Sequence, residues 1–206
     1  MAFEVVKSTG YPVIEEGTYP ARVVGLIDLG VHDKLDYKTN EPVVKNGVVQ
    51  KNRKVFITFE LPTERIDVEE VSKPRWVSKE YTLSFFEKSV LSQLIKACVG
   101  SNEIKVLDEL IGKSLLINIG ITSGGKNKVT GASPVMKGME VGALENPSQV
   151  FDMDNPDMAV WERLPQFLQD KIKESHSFAD SELNHKLHNE AKVKNDKDDF
   201  EDDVPF

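Results

Sequence analysis

Lys54-Val55-Phe56-Ile57-Thr58-Phe59-Glu60-Leu61 decides the fold class, because apolar side chains recur in it at every second position. Val55, Ile57, Phe59 and Leu61 fall on one side of an extended chain and Lys54, Phe56, Thr58 and Glu60 on the other, the period of a half-buried β-strand. The pattern repeats outward from there. Arg75 to Phe85 sets Val77, Tyr81, Leu83 and Phe85 opposite Trp76, Ser78, Glu80 and Thr82, and Leu115 to Ile121 sets Leu115, Ile117, Ile119 and Ile121 opposite Leu116 and Asn118. Thr18 to Leu29 is rich in β-formers, with Gly25 inside it where a bulge or bend is expected. Lys128 to Val135 supplies a fifth strand.

Between the third and fourth strands the spacing becomes helical. Val90, Leu91, Leu94, Ile95 and Cys98 form one stripe within Glu87 to Val99, with Ser84 as the expected cap and Gly100 as the stop. Three strands, one helix and two strands suit a mainly β fold, a five-stranded oligonucleotide-binding (OB) barrel with its helix between strands three and four. An SH3-like barrel normally lacks that helix. In the first connection, Val43-Val44-Lys45-Asn46-Gly47-Val48-Val49 predicts a type I′ hairpin around Asn-Gly. The fourth connection, Ser123 to Lys128, is a turn carrying two lysines, and in an OB barrel these two connections flank one binding face.

After this region the composition shifts. Residues 1–139 read as the OB domain, 140–193 as a helical C-terminal extension and 194–206 as a disordered acidic tail. The extension holds a helix entry at Asn155-Pro156-Asp157, short helices at Trp161 to Leu164 and Gln166 to Ser175, and a weakly amphipathic stretch from Asp180 to Val193. The net charge of -8 is unevenly spread: 19 Lys+Arg stand against 17 Asp+Glu up to residue 139, and 7 against 17 beyond it. An acidic tail thus masks a mildly basic body.

The expected setting is the cytoplasm, that of the host cell if the chain is phage-encoded, with no membrane partner. No basic leader opens the sequence and no apolar run approaches the ~18 residues of a membrane helix. The one cysteine, Cys98, sits in the apolar helical stripe and reads as an inert thiol. No nucleophile elbow, phosphate loop or dinucleotide fingerprint is present, so neither an enzyme nor a cofactor is expected. Asp152 to Asp157 lacks the glycine and closing Glu of a calcium loop and reads as helix capping. His185 and His188 share a helical face without a third ligand, so no metal is expected either.

Positive charge mixed with outward rings is more telling. Phe56 and Trp76 lie opposite the apolar rows, where a base-stacking platform would sit. Lys51, Arg53, Lys54, Arg75 and Lys79 are positioned to track phosphates, and Arg22, Lys34, Lys38, Lys45, Lys126 and Lys128 extend the basic character through the first strand and the loops. Packing of Phe56 or Trp76 against the C-terminal helices is the competing reading of those rings.

Asp199-Phe200-Glu201-Asp202-Asp203-Val204-Pro205-Phe206 resembles the acidic tips of single-stranded DNA-binding proteins. Gly17-x-Tyr19-Pro20-Ala21, Lys79 to Ser84, Ala132-Ser133-Pro134 and Leu164-Pro165-x-Phe167-Leu168-Gln169-x-Lys171-Ile172 look like bacteriophage members of that group. The resemblance implies sequence-independent coating of single-stranded DNA in replication, recombination or repair. It also implies that Asp202, Asp203, Val204, Pro205 and Phe206 recruit replication or recombination proteins, while the tail's acids compete with DNA for the basic face. The helical extension replaces the long Gly/Gln/Pro-rich linker of bacterial members, so tetramerisation is not carried over and a homodimer is an open alternative. A protein-interaction module or acidic DNA mimic aimed at a host nuclease or replication enzyme is the alternative function.

Overall fold

A computed structural model describes residues 12–68, 70–101 and 103–189. Its strands in chain order are β1 (Gly17–Asp33), β2 (Val44–Lys45), β3 (Val48–Val49), β4 (Lys51–Val68), β5 (Val71–Thr82), β6 (Ser114–Ile121), β7 (Asn127–Ser133) and β8 (Gln149–Phe151). The helices are α1 (Val90–Val99), α2 (Met158–Trp161) and α3 (Gln166–Lys173), and residues 182–189 are also helical. The mainly β reading holds. None of the helices described is long and apolar enough to cross a membrane.

Hydrogen bonding joins the main sheet in the order β5-β4-β1-β6-β7, with β8 paired to β1. β6 runs antiparallel to both neighbours, Leu115 facing Ala21 and Ile117 facing Ala132. The expected closed barrel is corrected here: β5 and β7 end the path, and among the described residues no pairing joins them. The chemistry of those strands agrees with their exposure. Pro74 lies within β5 and Pro134 follows β7, and a residue without an N–H belongs on an edge.

The chain divides into two compact units, and β1, β4 and β5 each contribute to both. Unit one comprises the described residues of Met1–Gly25, Ile57–Lys79 and Ser84–Ser148; unit two comprises those of Leu26–Phe56, Glu80–Leu83 and Gln149–Phe206.

In unit one the alternating residues Ile57, Phe59 and Leu61 are fully buried, as are Ala21, Val23, Leu115 and Ile117. Each large side chain of this set removes enough apolar surface from water to contribute about 1.5–3 kcal/mol. Helix α1 buries Leu91, Leu94 and Ile95. Its cap is Ser89 rather than Ser84: the Ser89 hydroxyl accepts from Ser92 N at 3.1 Å and donates to the Ser84 carbonyl at 2.5 Å, and Gly100 ends the helix at φ +81°. That turn stops β5 at Thr82, so Phe85, expected inward, is 56% exposed. Cys98 lies in α1, where burial pushes its thiol up to about 12 against the pull of Lys113, the state of an unreactive cysteine.

Residues 141–146 of unit one are held by three charged side chains, the buried Glu60, the half-buried Arg22 and the exposed Arg65. Arg22 donates to the carbonyls of Gly142, Gly112 and Val141. Arg65 forms a two-pronged pair with Glu145, and the fully buried Glu60 carboxylate accepts from the Glu145 and Asn146 backbone amides and the Asn146 side chain.

In unit two Ile27, Leu29, Phe151, Met153, Trp161, Leu164, Leu168, Ile172 and Leu183 form one buried cluster. The C-terminal helices therefore complete a core. Asp157 caps α2 through Ala159 N at 2.9 Å, as its place before an apolar run suggests. The hairpin β2–β3 forms with Asn46 at φ 53° and Gly47 at φ 77°, both values a type I′ turn requires. The sharp glycine in β1 is Gly30, at φ 78°, and not Gly25.

Candidate nucleic-acid interface

Within unit two, the outward positions of β4 are partly covered. Phe56 is half-buried and meets the Phe167 ring edge-on, with centroids 6.0 Å apart and planes at 71°. This corrects its reading as a bare stacking ring: local alternation gives the side of the strand, and α3 then packs over it. Arg53 does not await phosphate either. It pairs with both oxygens of Asp28 at 3.0 and 2.5 Å and with Asp154 at 2.9 Å, a set that raises its pKa, the Asp28 hydrogen bond first.

Lys54 is committed too. Its ammonium lies 3.2 Å from Glu80 Oε1, and Lys171 of α3 holds the other Glu80 oxygen. Burial pulls the Glu80 carboxyl up, but the hydrogen bonds and charges of Lys171 and then Lys54 outweigh it and leave the pKa below the ordinary 4.5. A carboxyl depressed in the fold stabilises it above the unfolded pKa, and that contribution fades as pH falls through the lowered folded value. Acid unfolding followed by circular dichroism is therefore expected to show a stability loss below about pH 4.5 that Glu80→Gln removes. Identical acid limbs in both proteins would detach this clip from stability.

Around it a cleft of about 680 Å³ is lined by His32 and Asp33 at the end of β1, Lys34 and Leu35 of the first connection, Asn52 and Lys54 of β4, Glu80 and Thr82 of β5, Phe167, Asp170 and Lys171 of α3, and Glu174 just after it. It brings together two of the nominated cations, Lys34 and Lys54. Four carboxylates share it. Lys34 and Lys51, both exposed, make no side-chain hydrogen bond or ion pair among the described residues.

Within unit one, β5 presents Trp76 to solvent at 45% exposure while its neighbour Val77 is buried. Thr58 and Ser78 join hydroxyls at 3.0 Å on the half-buried outer side. Arg75, the chain neighbour of Trp76, Lys126 in the β6–β7 turn and Lys128 on β7 carry no side-chain hydrogen bond or ion pair among the described residues. The turn is ordered by Thr122 N to Lys126 O at 2.8 Å and Gly125 N to Thr122 O at 2.9 Å. Lys79 is half-buried, and burial lowers its pKa. Arg22, spent on three carbonyls, is corrected from phosphate contact to structural clamp.

Two exposed rings escaped the sequence reading. Phe86, 85% exposed, follows Phe85 on the turn that Ser89 ties down, and Tyr37, 87% exposed, lies in the first connection of unit two with the Lys38 ammonium 5.4 Å from its centroid. Two consecutive phenylalanines before a capping Ser were a usable signal; Tyr37 had none beyond its place in a long loop. Among the described residues no group of His, Cys, Asp and Glu is arranged to hold a metal. Asp202 to Phe206 lie outside the described residues. Comparison with known protein families, with characterised proteins and with solved structures finds no match.

Proposed function

We propose that the protein binds single-stranded DNA without regard to sequence and coats it during replication, recombination or repair, by occupancy rather than catalysis. One observation carries the reading: the exposed Trp76 ring on β5, next in the chain to a half-buried Arg75 that makes no side-chain hydrogen bond or ion pair among the described residues. A ring offers every base the same π face and a guanidinium answers the phosphate, which is what sequence-tolerant binding requires. The five-strand order with α1 between the third and fourth long strands supports an opened OB barrel as the scaffold. Lys126 and Lys128 add charge from the β6–β7 connection. The acidic residues 196–206 are proposed to compete for these cations and to engage replication or recombination partners, in the cytoplasm.

Tryptophan fluorescence tests it, because Trp161, the second tryptophan, is only 4% exposed and Trp76 reports alone on the surface. Added oligo-dT is expected to quench the emission, and Trp76→Ala to weaken binding about tenfold, the equivalent of one lost stacking contact. Arg75→Ala is expected to flatten the log-log salt dependence by about 0.7. Binding with unchanged affinity in Trp76→Ala would remove β5 from the interface. The exposed Phe85 and Phe86 favour a second reading, a protein-interaction module that never touches DNA; it predicts no oligonucleotide binding at any salt concentration.

A further inference from the structure

The cleft of unit two has a chemistry that phosphate binding alone does not explain. Of its cations, Lys54 and Lys171 are spent on Glu80, which leaves Lys34 as the uncommitted ammonium. Of its carboxylates, Asp33 accepts from or pairs with His176 at 2.7 Å, while Glu174 makes no side-chain hydrogen bond or ion pair among the described residues and Asp170 takes only the Gln166 amide, at one oxygen. A phosphate chain threading this space would meet those acids. A hydrogen-bond donor would be welcomed by them.

The cleft also offers apolar surface and neutral hydrogen-bonding groups. Phe167 is 58% exposed and Leu35 48%, and the Phe56 edge contact fixes the plane of the Phe167 ring. Asn52 and Thr82 are half-buried, with no side-chain hydrogen bond among the described residues. A planar heterocycle fits such surroundings: its face lies on the ring, its edge meets an amide, a hydroxyl and a carboxylate. The volume falls in the range of small-molecule sites, about 300–1,000 Å³.

We infer that this cleft accepts one unpaired nucleobase whose edge carries amino donors, guanine above all, with Lys34 receiving the attached phosphate. Guanine presents adjacent N–H groups that a carboxylate takes in a two-pronged grip, whereas thymine presents one N–H between two carbonyls that the acids repel. The inference rests on the single-strand reading above and adds a base preference to it. In this arrangement Phe56 acts through Phe167, as the brace that orients the stacking ring.

The test uses the full chain with dGMP and dTMP, observed through its backbone amides by nitrogen-15 NMR, and with oligo-dT carrying or lacking one central dG. Binding of dGMP is expected to exceed that of dTMP about tenfold, the value of one good two-pronged base contact. Asn52→Leu and Phe167→Ala, checked for fold by circular dichroism, are expected to erase both this preference and that for dG within the strand while oligo-dT still binds through Trp76. Equal affinity for the two nucleotides, with oligo-dT bound normally, overturns the cleft assignment and leaves the proposed function standing. A dGMP preference without any preference for dG in the strand also overturns it, in favour of a free-nucleotide site. Failure to bind any oligonucleotide removes the proposed function itself.

Discussion

Gly30→Ala is expected to cost about 3 kcal/mol, the sum of a left-handed backbone forced on a side chain and an overpacked contact. Gly30 sits in β1 at φ 78°, and a methyl group there would stand 2.7 Å from both Ser175 Cβ and Ser177 Oγ. Segment 175–177 cannot retreat cheaply. His176 N donates to the Val31 carbonyl at 2.8 Å and Val31 N donates to Ser177 Oγ at 3.0 Å, so relief of the clash breaks the hydrogen bonds that seat the segment. Thermal unfolding is expected to drop by roughly 6–12 °C for a chain of this size. A shift within error of the parent would mean that this contact is not formed in solution.

The second large effect belongs to Glu60→Gln. The shape is preserved, but one acceptor oxygen becomes an NH2 group aimed at N–H donors. Glu60 Oε1 takes Glu145 N at 2.9 Å, and Oε2 takes Asn146 N at 2.9 Å and Asn146 Nδ2 at 2.6 Å, and Glu60 itself has no exposed surface. Whichever oxygen is replaced, a buried donor is left facing another. The expected loss is about 2–4 kcal/mol in urea unfolding, because an orphaned buried donor carries its full desolvation cost. Faster hydrogen exchange at the Glu145 and Asn146 amides should accompany it. Unchanged protection there would show that the carboxylate does not hold the segment.

These two sites mark the limit of what local sequence pattern reveals. Val55, Ile57, Phe59 and Leu61 were legible because burial on one face imposes a period of two, and all four are buried. Asn46-Gly47 was legible because a two-residue hairpin demands positive φ at both positions. The bend was expected at Gly25, inside the apolar run, and falls at Gly30, against which Ser175, a residue 145 positions downstream, is packed. Ser84 was the expected cap because the helix was read from Glu87; it starts at Val90, and Ser89 caps it.

The candidate site was legible in kind and not in detail. Residue type and strand side correctly put Trp76 in solvent. The same reasoning put Phe56, Arg53, Lys54 and Arg22 there, and each is engaged by a group far along the chain: Phe167, Asp154, Lys171's partner Glu80, and the Val141 and Gly142 carbonyls. A cation's type does not reveal whether a carboxylate or a carbonyl reaches it first. Closure of the barrel was not legible for a related reason: strand order follows from local pattern and turns, whereas closure depends on whether the end strands meet, and among the described residues β5, with Pro74 inside it, and β7 do not pair.

Exposed Trp76 and the uncommitted cations of unit one are proposed to hold unpaired nucleotides. A titration of the full chain with labelled oligo-dT and with duplex DNA across a salt series decides this. Saturable binding of the single strand, weakening with a log-log slope of about -0.7 per phosphate engaged and clearly stronger than binding of the duplex, is the predicted result. No binding to oligo-dT at low salt, or equal affinity for the duplex, would contradict it.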